Sequence, residues 1–213
     1  MKLIDPAATN RTKAFEMWTK SPMPMVTLLK TYDVTPLVRF GRRNKMKFNM
    51  LLCWCIGRAA VSDKDGRFLM VVADNGFELY DKLAVNIVVP TADGSITTCD
   101  IPYTPDLSEF NACYLKVTAE AYRTCADVLS PDHAIIGASS LAKHYIDGAI
   151  NQYSGIYKNV FMAWGRYRKR FPFRKTLPVS MQFHHAHMDG NDACEFLDRL
   201  QDEIRNVKKN ARS

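Results

Sequence analysis

The stretch "KFNMLLCWCIGRAAV", Lys47 to Val61, constrains the fold of this chain more than any other. It is long and apolar enough for a buried helix, and a helix apolar on every side needs a sheet and other helices to cover it. The segments that follow offer that cover. "RFLMVVADNGFELYD" and "LAVNIVVPTADGSITTCDIPY" are β-branched and aromatic runs broken by Asp-Asn-Gly and Asp-Gly, whose residues tolerate positive φ, so both read as antiparallel hairpins. Strands are also expected at "MVTLLKTYDV", "HAIIGASS", "YKNVFMAWGRY" and "LPVSMQFHH" (Leu177 to His185). A short helix should run from a cap at Thr9 or Asn10 to Trp18, where "SPMP" ends it, and another should start at Thr35-Pro36. Leu107, Phe110, Tyr114, Val117 and Ala121 recur at helical spacing between Asp106 and about Asp127, marking one apolar face. A final amphipathic helix is expected from about Asp192 to Lys208, with Asp192 and Glu195 as a capping box. Helices and hairpin strands mixed in this way predict an α/β (α+β) two-layer sandwich: a mixed, largely antiparallel sheet with helices packed on it.

With 213 residues and 47% hydrophobic content, one domain spanning 1–213 can bury a substantial core. No window approaches the roughly 18 consecutive apolar residues of a membrane span. The N-terminal "MKLIDPAATNRTKAF" carries Asp and Pro where a signal peptide would be apolar, so a cytoplasmic protein with no membrane partner is expected. Six cysteines are too dispersed for a zinc ribbon and too sparse for a disulfide scaffold, which fits a reducing compartment. The net charge of +7 is densest in "RFGRRNKMK" (Arg39 to Lys47) and "RYRKRFPFRK" (Arg166 to Lys175). Neither cluster belongs to a helix-turn-helix or a sheet of stacking aromatics, so a cofactor polyphosphate ranks above nucleic acid as the anion served.

Chemistry concentrates in "QFHHAHMDGNDACEFLDRL", Gln182 to Leu200, which holds three of the five histidines within four residues. Three readings compete. His185, His187 and Asp189 could ligate a metal, but a fourth protein partner cannot be placed, and no metal is expected. The cluster could instead be a set of satisfied histidines at a strand end. The third reading comes from the order His-His-x-x-x-Asp-Gly at a strand-to-helix transition. There a sheet fixes the backbone while an imidazole projects into a cleft, which suits a base that must meet a substrate hydroxyl.

That order, His184-His185-x-x-x-Asp189-Gly190, resembles the signature of the chloramphenicol acetyltransferase family of coenzyme A-dependent acyltransferases. "NRTKAFEMW" (Asn10 to Trp18) is similar to that family's N-terminal segment, "RFLMVVADNGFELYD" to its hairpin after the long helix, and "CDIPYTPDLSEFNACYLKV" to the entry of its next helix. The likeness covers roughly Thr9 to Arg205; two-domain condensation enzymes and dihydrolipoamide acyltransferase cores share the motif. The resemblance implies that His185 is the general base, taking the proton of an acceptor hydroxyl as its oxygen attacks the acetyl-CoA thioester. It implies a structural Asp189–Arg11 pair and a serine serving the tetrahedral intermediate, best matched by Ser139 with Ser140 as alternative. Leu141-Ala142-Lys143 follows these serines where the antibiotic-inactivating members carry Pro-Trp. Trp18, Pro22, Pro24 and Val26 align with the acceptor pocket, and Arg166 and Tyr167 with a Lys-Tyr pair near the coenzyme A tunnel. The family further implies a homotrimer with sites between subunits, acetyl-CoA as co-substrate and a small hydroxylated acceptor such as chloramphenicol. The competing expectations are an acyltransferase core of lipoyl-dependent type and a non-catalytic oligomeric binding protein with the same fold.

Overall fold

The computed structural model describes residues 1–212. The N-terminal half runs β1 (Lys2–Ile4), α1 (Thr12–Trp18), β2 (Met25–Asp33), α2 (Thr35–Asn44), α3 (Phe48–Val61), β3 (Met70–Ala73), β4 (Gly76–Leu79), β5 (Leu83–Pro90) and β6 (Ile96–Pro102). The remainder is α4 (Leu107–Thr124), β7 (Ala134–Ser140), β8 (Phe161–Trp164), β9 (Arg168–Arg170), β10 (Arg174–His184) and α5 (Gly190–Asn210). The main sheet has the order β2-β10-β8-β7-β5-β6, with β9 also pairing β10. Its β5–β7 and β7–β8 pairs are parallel and its other pairs antiparallel, so the sheet is mixed and largely antiparallel as expected.

Alternation along the strands divides the two layers. Leu177, Val179, Met181 and Phe183 of β10 join the main core, while Ser180, Gln182 and His184 project from the opposite face. The core face is covered by helices. In α3, Met50 through Gly57 are buried without a break, as the apolar run requires. Trp54 Nε1 donates to the Thr104 carbonyl at 3.2 Å, and Gly57 lets the Tyr103 ring approach so closely that an added Cβ would lie 2.3 Å from it. In α5, Ala193, Phe196, Leu197, Leu200, Ile204 and Val207 form the buried stripe.

The opposite face carries no helix among the described residues. Part of the 141–160 segment crosses it: Ala149 N donates to Ser180 Oγ, and Gln182 Nε2 donates to the Asn151 carbonyl. Beneath lies a cavity of about 990 Å³, its walls including Asn86, Asp100, Gly137, Tyr153, Phe161 and Gln182.

Four features differ from the expectations, the first being that α1 has Arg11 at its N-cap, with no side-chain capping bond, and not Thr9 or Asn10. A second, three-stranded sheet, β1-β4-β3, adds the N-terminal strand to the first hairpin, and α1 packs on it through Phe15, edge to face with Phe77 at 5.2 Å. Strand β9 was not expected. Helix α5 begins one turn early: the Asp192 carboxylate accepts the Asp189 amide at 3.0 Å, while Glu195 is taken by the Asn191 side chain, so the capping position is Asp189 and not Asp192.

Candidate active site

β10 ends at His184, and the next amide, His185 N, donates to the Pro24 carbonyl at 2.8 Å, which pins the start of the turn. Arg11, at the N-cap of α1, then fastens the turn from the side. Its guanidinium donates to both Asp189 oxygens at 2.7 and 3.0 Å, to the His185 carbonyl at 2.7 Å and to the Ala186 carbonyl at 3.1 Å. The Asp189 carboxyl is held below the usual carboxylate range, first by the hydrogen bond from Arg11. His185 Nδ1 is buried and lies 3.5 Å from Asp189 Oδ1. Trp18 stacks on the same ring, centroids 4.4 Å apart and planes within 11°. With Nδ1 shut in and 27% of the side chain still exposed, the free edge of the imidazole is the one bearing Nε2.

The neighbouring histidines are fixtures. His184 Nδ1 accepts the Ala186 amide, and burial, aided by Lys158, pushes the imidazole down to about 4. His187 donates from Nε2 to the Arg67 carbonyl at 2.7 Å, and burial pushes it down to about 4 as well. Both are neutral near pH 7. Arg67 also bridges Asp63 and Asp192, and Arg199 closes on Asp63 from α5, so the far side of the turn is tied into a second ionic network. Among the described residues no group of His, Cys, Asp and Glu is placed to hold a metal ion.

The two serines part company. Ser140 Oγ accepts from Asn49 on α3, whose own carbonyl oxygen accepts the Trp164 indole N–H, so Ser140 belongs to the helix side. Ser139 alternates to the other face. It pairs with Ala163, which pairs with Ser180, and His185 lies five residues beyond Ser180. That places Ser139 about 17 Å along the strands and about 10 Å across them from His185. One chain does not bring the two together. Arg166, with its guanidinium 5.5 Å from the Tyr145 ring centre, and Tyr167, packed on Phe48, share the Ser139 end of the sheet.

Of the four residues aligned with an acceptor pocket, Trp18 touches His185 through its ring and Pro24 through its carbonyl. Pro22 is exposed, and Val26, paired with Phe183, packs against the helix-side core. The cavity walls had escaped the sequence reading, because they come from segments far apart in the chain and share no spacing.

Comparison with known proteins assigns the arrangement to a class. The chloramphenicol acetyltransferase family model matches residues 1–201. Chloramphenicol acetyltransferase 2 of Escherichia coli is 29% identical over 97% of this chain and 98% of its own length, and that of Haemophilus influenzae 28% over the same shares. A solved chloramphenicol acetyltransferase superposes with a TM-score of 0.78 at 19% identity, covering 95% of this chain and 99% of its own. The dihydrolipoamide acetyltransferase of Azotobacter vinelandii does so with a TM-score of 0.71 at 17% identity, covering 96% and 88%. The protein is an acyltransferase. It belongs to the chloramphenicol acetyltransferase family.

Proposed function

We propose that the protein transfers an acetyl group from acetyl-CoA directly to a hydroxyl of a small acceptor, chloramphenicol being the first to test, with His185 as general base. The observation that carries this reading is the one-edged imidazole: Nδ1 buried without a hydrogen-bond partner, 3.5 Å from Asp189 Oδ1, Trp18 against the face, Nε2 left for a substrate. When bound, acetyl-CoA supplies the acetyl group as an activated thioester. His185 takes the acceptor's O–H proton at Nε2 while the freed oxygen bonds to the acetyl carbonyl carbon. It then returns the proton to the thiolate released as the C–S bond breaks, so no net proton is gained or lost. The Trp18 ring and the turn fastened by Arg11 hold the imidazole in one orientation through both steps.

The separation of Ser139 from His185 supports a homotrimer with sites between subunits, in which the serine of one copy faces the base of the next. Arg166 fits the phosphates of coenzyme A, because its guanidinium is exposed and has no carboxylate partner among the described residues. All six cysteines are free, which suits the cytoplasm.

A lipoyl-dependent core is the second reading, supported by fold neighbours such as the Azotobacter enzyme, investigated for the role of a serine, a histidine and an asparagine in its mechanism. That histidine and asparagine stand four apart, as His185 and Asp189 do, yet the curated relatives at 28–29% identity favour direct acetyl transfer. Turnover with acetyl-CoA and with acetyl-dihydrolipoamide as donors separates the two: the proposal expects acetyl-CoA to be preferred, and a preference for the lipoyl donor would overturn it.

A further inference from the structure

We propose that the tip of the β9–β10 hairpin docks the protein onto an anionic lipid surface. The pairing sets Arg170 opposite Arg174 and Lys169 opposite Lys175. Like charges directly opposite each other destabilise an antiparallel ladder, and here two such pairs are adjacent. The stretch Arg168 to Lys175 holds five cations and no acidic residue. Two of them are answered, Arg168 by Asp147 at 2.8 Å and Arg174 by Asp33 at 3.1 Å. Lys169, Arg170 and Lys175 have no carboxylate partner among the described residues.

Between the cations stand Phe171, 96% exposed, and Phe173, 76% exposed, the two most exposed large hydrophobic side chains described. Each forgoes the burial that makes an aromatic ring useful to a fold. The charge repulsion and the apolar exposure are both relieved by a partner that is negative at its surface and apolar just beneath. A bilayer containing anionic lipids has that profile: cations lie at headgroup level while aromatic rings enter the boundary below. Single-stranded nucleic acid fits less well, since it is bound along grooves that track its backbone, whereas this is a convex turn with Pro172 between the rings.

The hairpin is firmly mounted. Lys175 N donates to Thr35 Oγ1 and Val34 N to the Lys175 carbonyl, which fixes its base to the start of α2. It lies at the opposite end of β10 from His185, about 35 Å away along the strand. No helix among the described residues is long and apolar enough to cross a membrane, and the proposed contact is a peripheral one made by the hairpin tip.

Sedimentation with vesicles of phosphatidylcholine, alone or mixed with phosphatidylglycerol, tests the proposal. The expected result is binding to the mixed vesicles only, weakened by salt. Lys169→Gln/Arg170→Gln should lower the partition about tenfold or more and flatten its salt dependence. Phe171→Ser/Phe173→Ser should lower it at every salt concentration. A melting temperature no lower than the parent's is expected for both variants, higher where the opposed cations are removed, with unchanged turnover at saturating acetyl-CoA. The proposal is overturned if the parent ignores the mixed vesicles or if both variants bind as it does. A fall in oligomer mass of the Phe171→Ser/Phe173→Ser protein would give the tip to a second copy, and preference for a single-stranded oligonucleotide would give it to nucleic acid; either defeats the lipid assignment.

Discussion

Arg11 and Asp189 stand 178 positions apart in sequence, yet one guanidinium holds the turn that presents His185. Lysine at this position could not span the same four acceptors, because its donors radiate from one nitrogen instead of a planar fork. Arg11→Lys is therefore expected to lower the urea midpoint, by about 2 kcal/mol of stability, and to reduce turnover. A second prediction concerns the buried imidazoles. His184 and His187 have folded values near 4, below the ordinary 6.5, so the unfolded chain binds more protons between those limits. Stability from this source is complete above about pH 6.5 and is lost as pH falls toward 4, with His187 alone accounting for up to about 3 kcal/mol. Denaturation midpoints at neutral and at mildly acid pH check the direction, and His187→Gln should flatten the dependence. The His-His-x-x-x-Asp-Gly order points to the proposed base and the carboxylate beside it because those residues are neighbours in sequence. The bond from His187 to the Arg67 carbonyl was not legible, since a backbone acceptor leaves no residue signature.

The elements that could be read from the sequence are those whose pattern is local. Helix α3, the two Gly-bearing hairpins and the stripe of α4 all carry their periodicity within one segment. β1 and β9 do not. Each has three residues, the first paired across the chain with β4 and the second made of Arg-Lys-Arg, which no propensity favours as a strand. The start of α5 was misplaced because Asp189 and Asp192 can both serve as caps, and the choice falls to the residue that the preceding turn already holds. At this scale the tightest constraint is Gly57, where α3 meets the Tyr103 ring. Gly57→Ala is expected to cost about 1–3 kcal/mol through displacement of that ring, despite the better helix propensity of alanine, and thermal unfolding measures the loss.

For the whole molecule, the decisive fact is that strand register separates Ser139 from His185. Sequence could name both residues but not their rows, which exist only once β7, β8 and β10 are paired. If the site is assembled from two copies, Ser139→Ala and His185→Ala proteins, each impaired, should complement when co-refolded, with roughly a quarter of the sites intact under random mixing. Separately refolded and then mixed samples should show no such recovery. The most direct test of the central claim is thiol release from acetyl-CoA with chloramphenicol and other hydroxylated acceptors, run beside the His185→Ala protein. Release by the parent, reduced about 100- to 10,000-fold by the substitution, is the predicted result; no release with any hydroxyl acceptor, or an undiminished rate in His185→Ala, would contradict it.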